Sequence, residues 1–226
     1  MKLYRFPGST ACRPVEMLCA EAGIQYEPEV VDILTGKQYE PPYSKINPTG
    51  LVPTLVDGDL VLTESSAILK YLADKVGSPA YPKDLKQRAK VNEMMDWWNT
   101  QFYREYGYHF VYPQTLQHLK LDSDQGTKDL VARGQKNAGT LLTVLDQHWL
   151  GDGRKFLCGD QMTIADCLAA GILPIGSWIG QNFAAYPNVE RWLKNVTSRP
   201  SWSAVAQDAT NLAGFLSQGT YSRIAG

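Results

Sequence analysis

The stretch from Lys45 to Leu72 (KINPTGLVPTLVDGDLVLTESSAILKYL) constrains the fold more strongly than any other part of the chain. An Asp57-Gly58 step separates two short runs of alternating apolar residues, which predicts a tight antiparallel hairpin. Pro53 stands at the head of the first run, where its missing N–H interrupts no interior ladder bond. Behind the hairpin, apolar residues recur at helical spacing, so we expect a helix there.

Glu64 and Ser65 stand at the expected start of this helix. A helix start presents free N–H groups and the positive end of the helix dipole, so it favours a carboxylate ligand. The Ser65 hydroxyl would add a donor to that carboxylate, and Glu64 would pair with an ammonium group on the same ligand. The pattern therefore indicates recognition of an amino-acid-like head group. Alternatively, Ser65 or Ser66 caps the helix and nothing binds.

The residues before this stretch predict a strand, a helix and a second strand. The strands are expected from Lys2 to Phe6 and from Glu27 to Ile33, and the helix between them has Pro14 near its start and Gly23 at its end. This order predicts a right-handed parallel βαβ unit. Together with the hairpin and the next helix, it gives βαβ followed by ββα, an α/β thioredoxin-like domain with a mixed four-stranded sheet.

The second part of the chain lacks strand patterns of comparable strength. Residues 77–85 contain the linker sequence GSPAYP, which is dense in helix and strand breakers. We therefore expect a first domain at residues 1–76 and an all-α helical bundle at residues 86–226. Thr163 and Asp166 have the spacing of a capping box, which predicts a structural role at a buried helix start.

Composition excludes several classes of function. The 226 residues include 22 Lys and Arg against 23 Asp and Glu, a formal net charge of −1, so no basic field favours nucleic acid or an anionic membrane surface. The first residues do not resemble a signal peptide, and no apolar run is long enough to span a bilayer, which predicts a cytoplasmic protein. Four scattered cysteines and three scattered histidines suggest neither a metal site nor a disulfide framework.

The order of Asn47-Pro48, Val52-Pro53, the hairpin and Glu64-Ser65 resembles the glutathione-binding half of the soluble glutathione transferase family. The segments FLCGDQMTIADC (156–167) and NVERWLKNVTSRPSW (188–202) are similar to that family's helical domain and extend the resemblance over nearly the whole chain. The resemblance implies glutathione as co-substrate, no metal, a homodimer, and detoxification of a small-molecule electrophile.

The resemblance also implies roles for individual residues. The proline after Val52 would be cis, the Val52 backbone would pair with the cysteinyl part of glutathione, and Glu64 and Ser65 would hold its γ-glutamyl head. Several classes carry a basic or histidine side chain before this proline to meet the glycyl carboxylate, whereas residues 49–51 here are Thr-Gly-Leu. Gln38, Lys37 or Lys45 would have to substitute. The predicted glutathione-binding residues are Gln38, Leu51, Val52, Pro53, Glu64 and Ser65.

Glutathione chemistry requires a thiolate, and a free thiol titrates near ~8.5. A hydrogen-bond donor aimed at the sulfur beside a helix start would lower that pKa. Ser9 in PGSTACR occupies the place of the activating serine in the serine-type (theta- and delta-like) transferases, so we expect it to be the catalytic residue. Thr10 is a substitute donor. Cys12, spaced from Ser9 as in a CxxC whose first cysteine has become serine, is an alternative nucleophile.

The electrophile is expected between the two domains, against an aromatic-rich helix. The candidate residues are Phe102, Tyr103, Tyr106, Phe110 and Trp178, with Phe215 and Tyr221 closing the site from the C-terminal side. Their character predicts an apolar or aromatic electrophile. Two alternatives stay open: a lyase, dehalogenase, peroxidase or isomerase that uses the same activated sulfur, and a non-catalytic ligand-binding or interaction protein.

Overall fold

A computed structural model describes residues 1–217 and 219–224. Its first part contains a four-stranded sheet in the order β2-β1-β3-β4, in which β1 and β2 are parallel and the other pairs are antiparallel. The strands are β1 (Lys2–Arg5), β2 (Glu27–Val30), β3 (Thr54–Asp57) and β4 (Leu60–Leu62); the helices are α1 (Cys12–Ala22), α2 (Tyr43–Ile46) and α3 (Ser65–Lys75), with a 3₁₀ turn at Lys37–Tyr39. The predicted mixed sheet and βαβ-ββα order are confirmed.

The alternation of the strands explains how the sheet meets its helices. Leu3 of β1 pairs with Leu55 of β3, and both side chains are buried on the face that carries α1 and α3. The apolar stripes of the two helices, which include Leu18 and Leu69, pack in the same core. Gly23 ends α1 in the left-handed conformation, with φ 66°, as its position after the apolar stripe predicted.

The second part of the chain is built from helices. They are α4 (Leu85–Trp97), α5 (Tyr112–Thr115), α6 (Asp124–Val144), α7 (Ile164–Ile172), α8 (Pro187–Thr197) and α9 (Pro200–Leu216). One continuous helical stretch runs from Leu85 to residue 115, because the π-helical segments Trp98–Phe102 and Arg104–Val111 connect α4 with α5. In residues 1–217 and 219–224, we find no helix with the length and apolar character needed to cross a membrane.

Asp166 organises the start of α7. Its carboxylate accepts hydrogen bonds from the backbone N–H and the hydroxyl of Thr163, at 2.8 and 2.9 Å. It also accepts from the backbone N–H of Leu157 at 2.8 Å and from the indole N–H of Trp192 at 2.9 Å. Asp166 is fully buried, so these four donors compensate for its lost hydration. The capping box thus also ties α7 to the preceding loop and to α8.

The helical part packs on the sheet part through α1, which lies against α7 and α9. Arg5 at the end of β1 pairs with Glu16 of α1 and, at 2.7 Å, with Asp208 of α9. The loop between β1 and α1 is therefore enclosed by both parts of the chain.

Candidate functional site

The sheet topology gathers three loops at one edge. β1 is antiparallel to β3, with Tyr4 opposite Thr54, and β3 is antiparallel to β4, with Leu55 opposite Leu62. The loop after β1, the residues before β3 and the residues after β4 consequently lie at the same edge. These segments carry Ser9, Val52-Pro53 and Glu64-Ser65.

Ser9 is half-buried, three residues before α1 begins. Its Oγ accepts a long hydrogen bond, 3.4 Å, from the backbone N–H of Cys12 at the helix start. Because the oxygen is the acceptor in this bond, the hydroxyl hydrogen remains available to donate to another group. The arrangement suits a donor to a thiolate beside the positive end of α1.

Cys12 is fully buried, and this burial raises the pKa of its thiol to about 12. The thiol is thus protonated near neutral pH, which disfavours Cys12 as a nucleophile. Its side chain belongs to a small buried cluster with Tyr43 and Val52. Cys12 therefore connects the start of α1, where Ser9 lies, with the residues before β3.

The peptide bond between Val52 and Pro53 is cis. Within the part of the chain that the structure describes, the backbone N–H and C=O of Val52 make no hydrogen bond. The carbonyl of Leu51 is already engaged, because it accepts from the hydroxyl of Tyr43 and, at 2.8 Å, from the side-chain amide of Asn47. Val52 thus presents backbone groups that an extended peptide ligand could pair with.

Glu64 is the N-terminal cap residue of α3 and has φ 65°, a conformation that L side chains rarely adopt. No side chain caps this helix, and among the described residues neither Glu64 nor Ser65 makes a side-chain hydrogen bond. The alternative of a plain serine cap is therefore not what the structure contains. An exposed carboxylate, a hydroxyl and a helix start face outward together, as an amino-acid head group requires.

The segment expected to meet a glycyl carboxylate is covered by an aromatic ring. Gly50 has φ 68°, and a Cβ built there would lie 2.6 Å from Cε1 of Tyr39. Gln38 is buried; its side-chain amide donates to the Ile33 carbonyl at 3.3 Å, and its Oε1 has no partner in the described residues. Of the two candidate lysines, Lys37 pairs with a neighbouring glutamate and Lys45 is exposed on α2.

The aromatic candidates for the electrophile site divide into two groups. Phe102, Tyr106 and Phe110 have no accessible surface and belong to the hydrophobic core. Their four-residue spacing explains this, because it places all three on one face of the helix. A side chain without accessible surface cannot contact a ligand unless the core rearranges, so the electrophile site must rest on other residues. Tyr103 is half-buried, and Trp178, nearly buried, packs 5.6 Å from the ring of Tyr112.

Comparison with known proteins decides the family. Residues 3–80 match the family model "Glutathione S-transferase, N-terminal domain", and residues 109–200 match "Glutathione S-transferase, C-terminal domain". Glutathione S-transferase D7 of Drosophila melanogaster is 31% identical over 209 residues, which cover 89% of this chain and 87% of that protein. The chain belongs to the glutathione S-transferase family. This confirms the predicted resemblance and the prediction that the chain is a member of a family of enzymes with glutathione as co-substrate.

Solved structures of glutathione transferases share the fold. An apo mutant of human glutathione-S-transferase T1-1 has a TM-score of 0.81 at 28% identity, covering 97% of this chain and 92% of that chain. A delta-class glutathione transferase of Nilaparvata lugens has a TM-score of 0.79 at 27% identity, covering 95% and 97%. The chain thus shares its whole architecture with transferases from distant organisms.

The structure adds a groove that sequence reasoning described only in part. A cavity of about 270 Å³ lies between the loop after β1, the loop after β2 and α9. Phe215, which the sequence had suggested, is 71% exposed there, and Leu34, which it had not, is 64% exposed. The groove is lined by Phe6, Pro7, Leu34, Asp208, Asn211, Leu212 and Phe215. This largely apolar groove thus begins two residues before Ser9, at Pro7.

Sequence reasoning also missed Tyr112. Its hydroxyl donates to Oγ1 of Thr10 at 2.9 Å, and both residues are buried. The sequence analysis placed the electrophile against an aromatic-rich helix, and Tyr112 continues that aromatic run past Phe110. Spacing along a helix cannot identify a hydrogen-bond partner 102 residues away.

Proposed function

We propose that this chain is a glutathione transferase in which Ser9 stabilises the thiolate of bound glutathione. The sulfur then forms a bond with an electrophilic carbon, and the electron pair leaves with the displaced group or moves into the substrate. Family membership supports the reaction class, and the position of the Ser9 hydroxyl beside the start of α1 supports the role of this serine.

The side chains of Glu64 and Ser65 and the backbone of Val52 make no hydrogen bond within the described residues, so they are open to a ligand. Glu64 and Ser65 are assigned to the γ-glutamyl head, and the backbone of Val52, before cis-Pro53, to the cysteinyl part. Leu51 and Gln38 are assigned to the glycyl end. The observation that carries the proposal is the exposed start of α3, where Glu64 has an unusual backbone conformation and its carboxylate has no hydrogen-bond partner among the described residues.

The electrophile is assigned to the groove beside Pro7, with the half-buried Tyr103 on the side of the helical part. Trp178 is buried and is therefore left out of this site. Apolar and aromatic side chains dominate these surfaces, which favours an apolar or aromatic electrophile. We further propose a cytoplasmic homodimer, which light scattering on the purified protein would test.

The mechanism is tested by the ultraviolet absorbance of the bound thiolate as a function of pH. We expect the wild-type protein to ionise bound glutathione near neutral pH. Ser9→Ala should return the thiol pKa toward ~8.5 and lower kcat/KM by roughly 10²-fold, as expected for the loss of one preorganised donor. Ser44→Ala, at a half-buried serine of α2, is the matched control and should behave as wild type.

Binding is measured separately as the glutathione-dependent rise in melting temperature, because a ligand that binds the native state stabilises it. Glu64→Ala should reduce this rise, whereas Ser9→Ala should preserve most of it. A protein that glutathione does not stabilise would be a non-catalytic member of the family. A Ser9→Ala variant with wild-type thiol pKa would remove Ser9 from the mechanism.

A further inference from the structure

Both residues that flank Ser9 are held by the helical part of the chain. Gly8 packs so closely on α9 that a Cβ there would lie 2.7 Å from the carbonyl oxygen of Asp208. Thr10 packs on α7, since a Cβ at Gly171 would lie 2.5 Å from the Thr10 carbonyl oxygen. The backbone that carries the Ser9 hydroxyl is thus located by contacts of its two neighbours.

A buried hydrogen bond also fixes the side chain of Thr10. The hydroxyl of Tyr112 donates to Thr10 Oγ1 at 2.9 Å, and the hydroxyl oxygens of Tyr112 and Tyr103 are 2.6 Å apart. A phenol has one hydrogen, and Tyr112 gives its hydrogen to Thr10, so Tyr103 supplies the hydrogen in the second bond. The hydrogen bonds therefore form a chain from Tyr103 through Tyr112 to Thr10.

The hydrogen bonds that link Tyr103, Tyr112 and Thr10 lie in a strongly desolvated environment. Arg13, one turn from Ser9, is buried and donates to the carbonyl of Gly171 at 2.9 Å. In the described residues no carboxylate pairs with its guanidinium, and burial lowers the pKa of Arg13 while the nearby phenols of Tyr112 and Tyr103 oppose this shift. Hydrogen bonds in such surroundings are stronger than in water and costly to break.

We propose that Tyr112, aligned by Tyr103, is a positioning residue for Ser9: through its hydrogen bond to Thr10, it holds the loop after β1 where the serine hydroxyl meets the glutathione sulfur. The inference rests on the proposed function above and gives a tyrosine of the helical part a role in forming the glutathione thiolate. The role of Tyr112 would be to fix a position: a displacement of 1 Å at a reacting centre can cost about 10²-fold in rate.

The test is Tyr112→Phe, which keeps the ring and its packing on Trp178 and removes only the hydroxyl. We expect the thiol pKa of bound glutathione to rise by about one unit. With glutathione saturating, this lowers kcat/KM for the electrophile about tenfold below neutral pH. The rate should recover at a pH above the raised pKa, and KM for glutathione should change less than about twofold, because Tyr112 is assigned no glutathione contact.

Tyr106→Phe is the matched control. It removes a buried phenol hydroxyl from the same helix. This hydroxyl donates to the Leu173 carbonyl at 3.2 Å and takes no part in the hydrogen bonds that link Tyr103, Tyr112 and Thr10. Its loss of stability should be similar, but the thiol pKa should stay at the wild-type value. Thr10→Val breaks the same bond from the other side, so Thr10→Val, Tyr112→Phe and the double variant should shift the thiol pKa equally. Thr10→Val also serves as the test if Tyr112→Phe does not fold.

The outcomes separate this inference from the proposed function. A raised thiol pKa in Ser9→Ala with a wild-type value in Tyr112→Phe and Thr10→Val would overturn the positioning role and leave the serine mechanism intact. An equal shift in Tyr106→Phe would also overturn it, because general loosening of the helix would then explain the effect. If Ser9→Ala itself leaves the thiol pKa unchanged, both proposals are wrong.

Discussion

Replacement of Asp166 by alanine should be the most destabilising single change at a helix end of this protein. The carboxylate is fully buried and accepts hydrogen bonds from four donors on Leu157, Thr163 and Trp192. The Thr163 hydroxyl can turn to another acceptor, but two backbone N–H groups and the indole N–H cannot. A buried donor without a partner costs about 1–3 kcal/mol, so the three donors left by Asp166→Ala should lower the free energy of unfolding by about 3–9 kcal/mol.

The assay is urea unfolding of Asp166→Ala beside Asp84→Ala. Asp84 is the exposed cap of α4, and its carboxylate accepts one hydrogen bond, from the backbone N–H of Gln87 at 2.9 Å. Losing this cap should cost about 1 kcal/mol. If Asp166→Ala loses no more than Asp84→Ala, the buried donors find other partners and the reasoning is refuted.

Asp166→Asn provides an intermediate point and a variant more certain to fold. The amide oxygen can replace Oδ1 and retain the bonds from Leu157 and Trp192. The amide NH₂ would then face the backbone N–H of Thr163, where the native carboxylate accepts at 2.8 Å. We therefore expect a loss of about 2–3 kcal/mol from one unmatched donor pair; full stability in this variant would show that charge and acceptor count at this position do not matter.

Two further predictions follow from buried ionisable groups. Cys12→Ala should keep turnover within about threefold of wild type, because the buried thiol stays protonated; loss of turnover in a folded variant, or a mixed disulfide of wild-type Cys12 with glutathione by mass spectrometry, would contradict this. Glu105 is also buried, which opposes ionisation, but hydrogen bonds from Asn137, Arg104 and His109 lower its pKa to about 2. Its stabilising effect is therefore present above the unfolded-state pKa and lost as pH falls toward about 2. Glu105→Gln should be less stable than wild type by about 2 kcal/mol at neutral pH, with the gap closing between about pH 4.5 and 2 in urea titrations; a gap independent of pH would contradict the assignment.

Local patterns predicted the elements whose causes are local. The predicted hairpin forms, but its two-residue turn is Gly58-Asp59, one residue later than the Asp57-Gly58 step, because Asp57 ends β3 and pairs with Leu60. Gly58 adopts φ 64°, a conformation that glycine reaches without strain. The helix expected from about Ser65 to Lys75 has those bounds in the structure. Turn chemistry and apolar spacing act over a few residues, so the sequence displays them directly.

Burial and partners were harder to predict, because both depend on distant parts of the chain. Phe102 and Tyr103 are neighbours in the same aromatic run, yet the first is in the core and the second reaches the hydrogen-bonded chain behind Ser9. The four-residue spacing places Phe102 on one face with Tyr106 and Phe110, but it does not show which face meets the core, because the side chains packed there come from other helices. The groove beside Pro7 was described only in part for the same reason, since α9 supplies one of its walls.

At Glu64, the sequence motif and the observed backbone geometry indicate different roles. In the sequence, an acid and two serines before a helix favour capping, but in the structure Glu64 takes φ 65° and no side chain among the described residues caps α3. A conformation of this kind costs about 1–3 kcal/mol and persists only where the surroundings enforce it. The sheet part thus holds the proposed glutathione-binding groups by local means, whereas the contacts proposed to locate Ser9 come from Tyr112, α7 and α9. Substitutions in those helices should therefore change thiolate formation more than glutathione affinity.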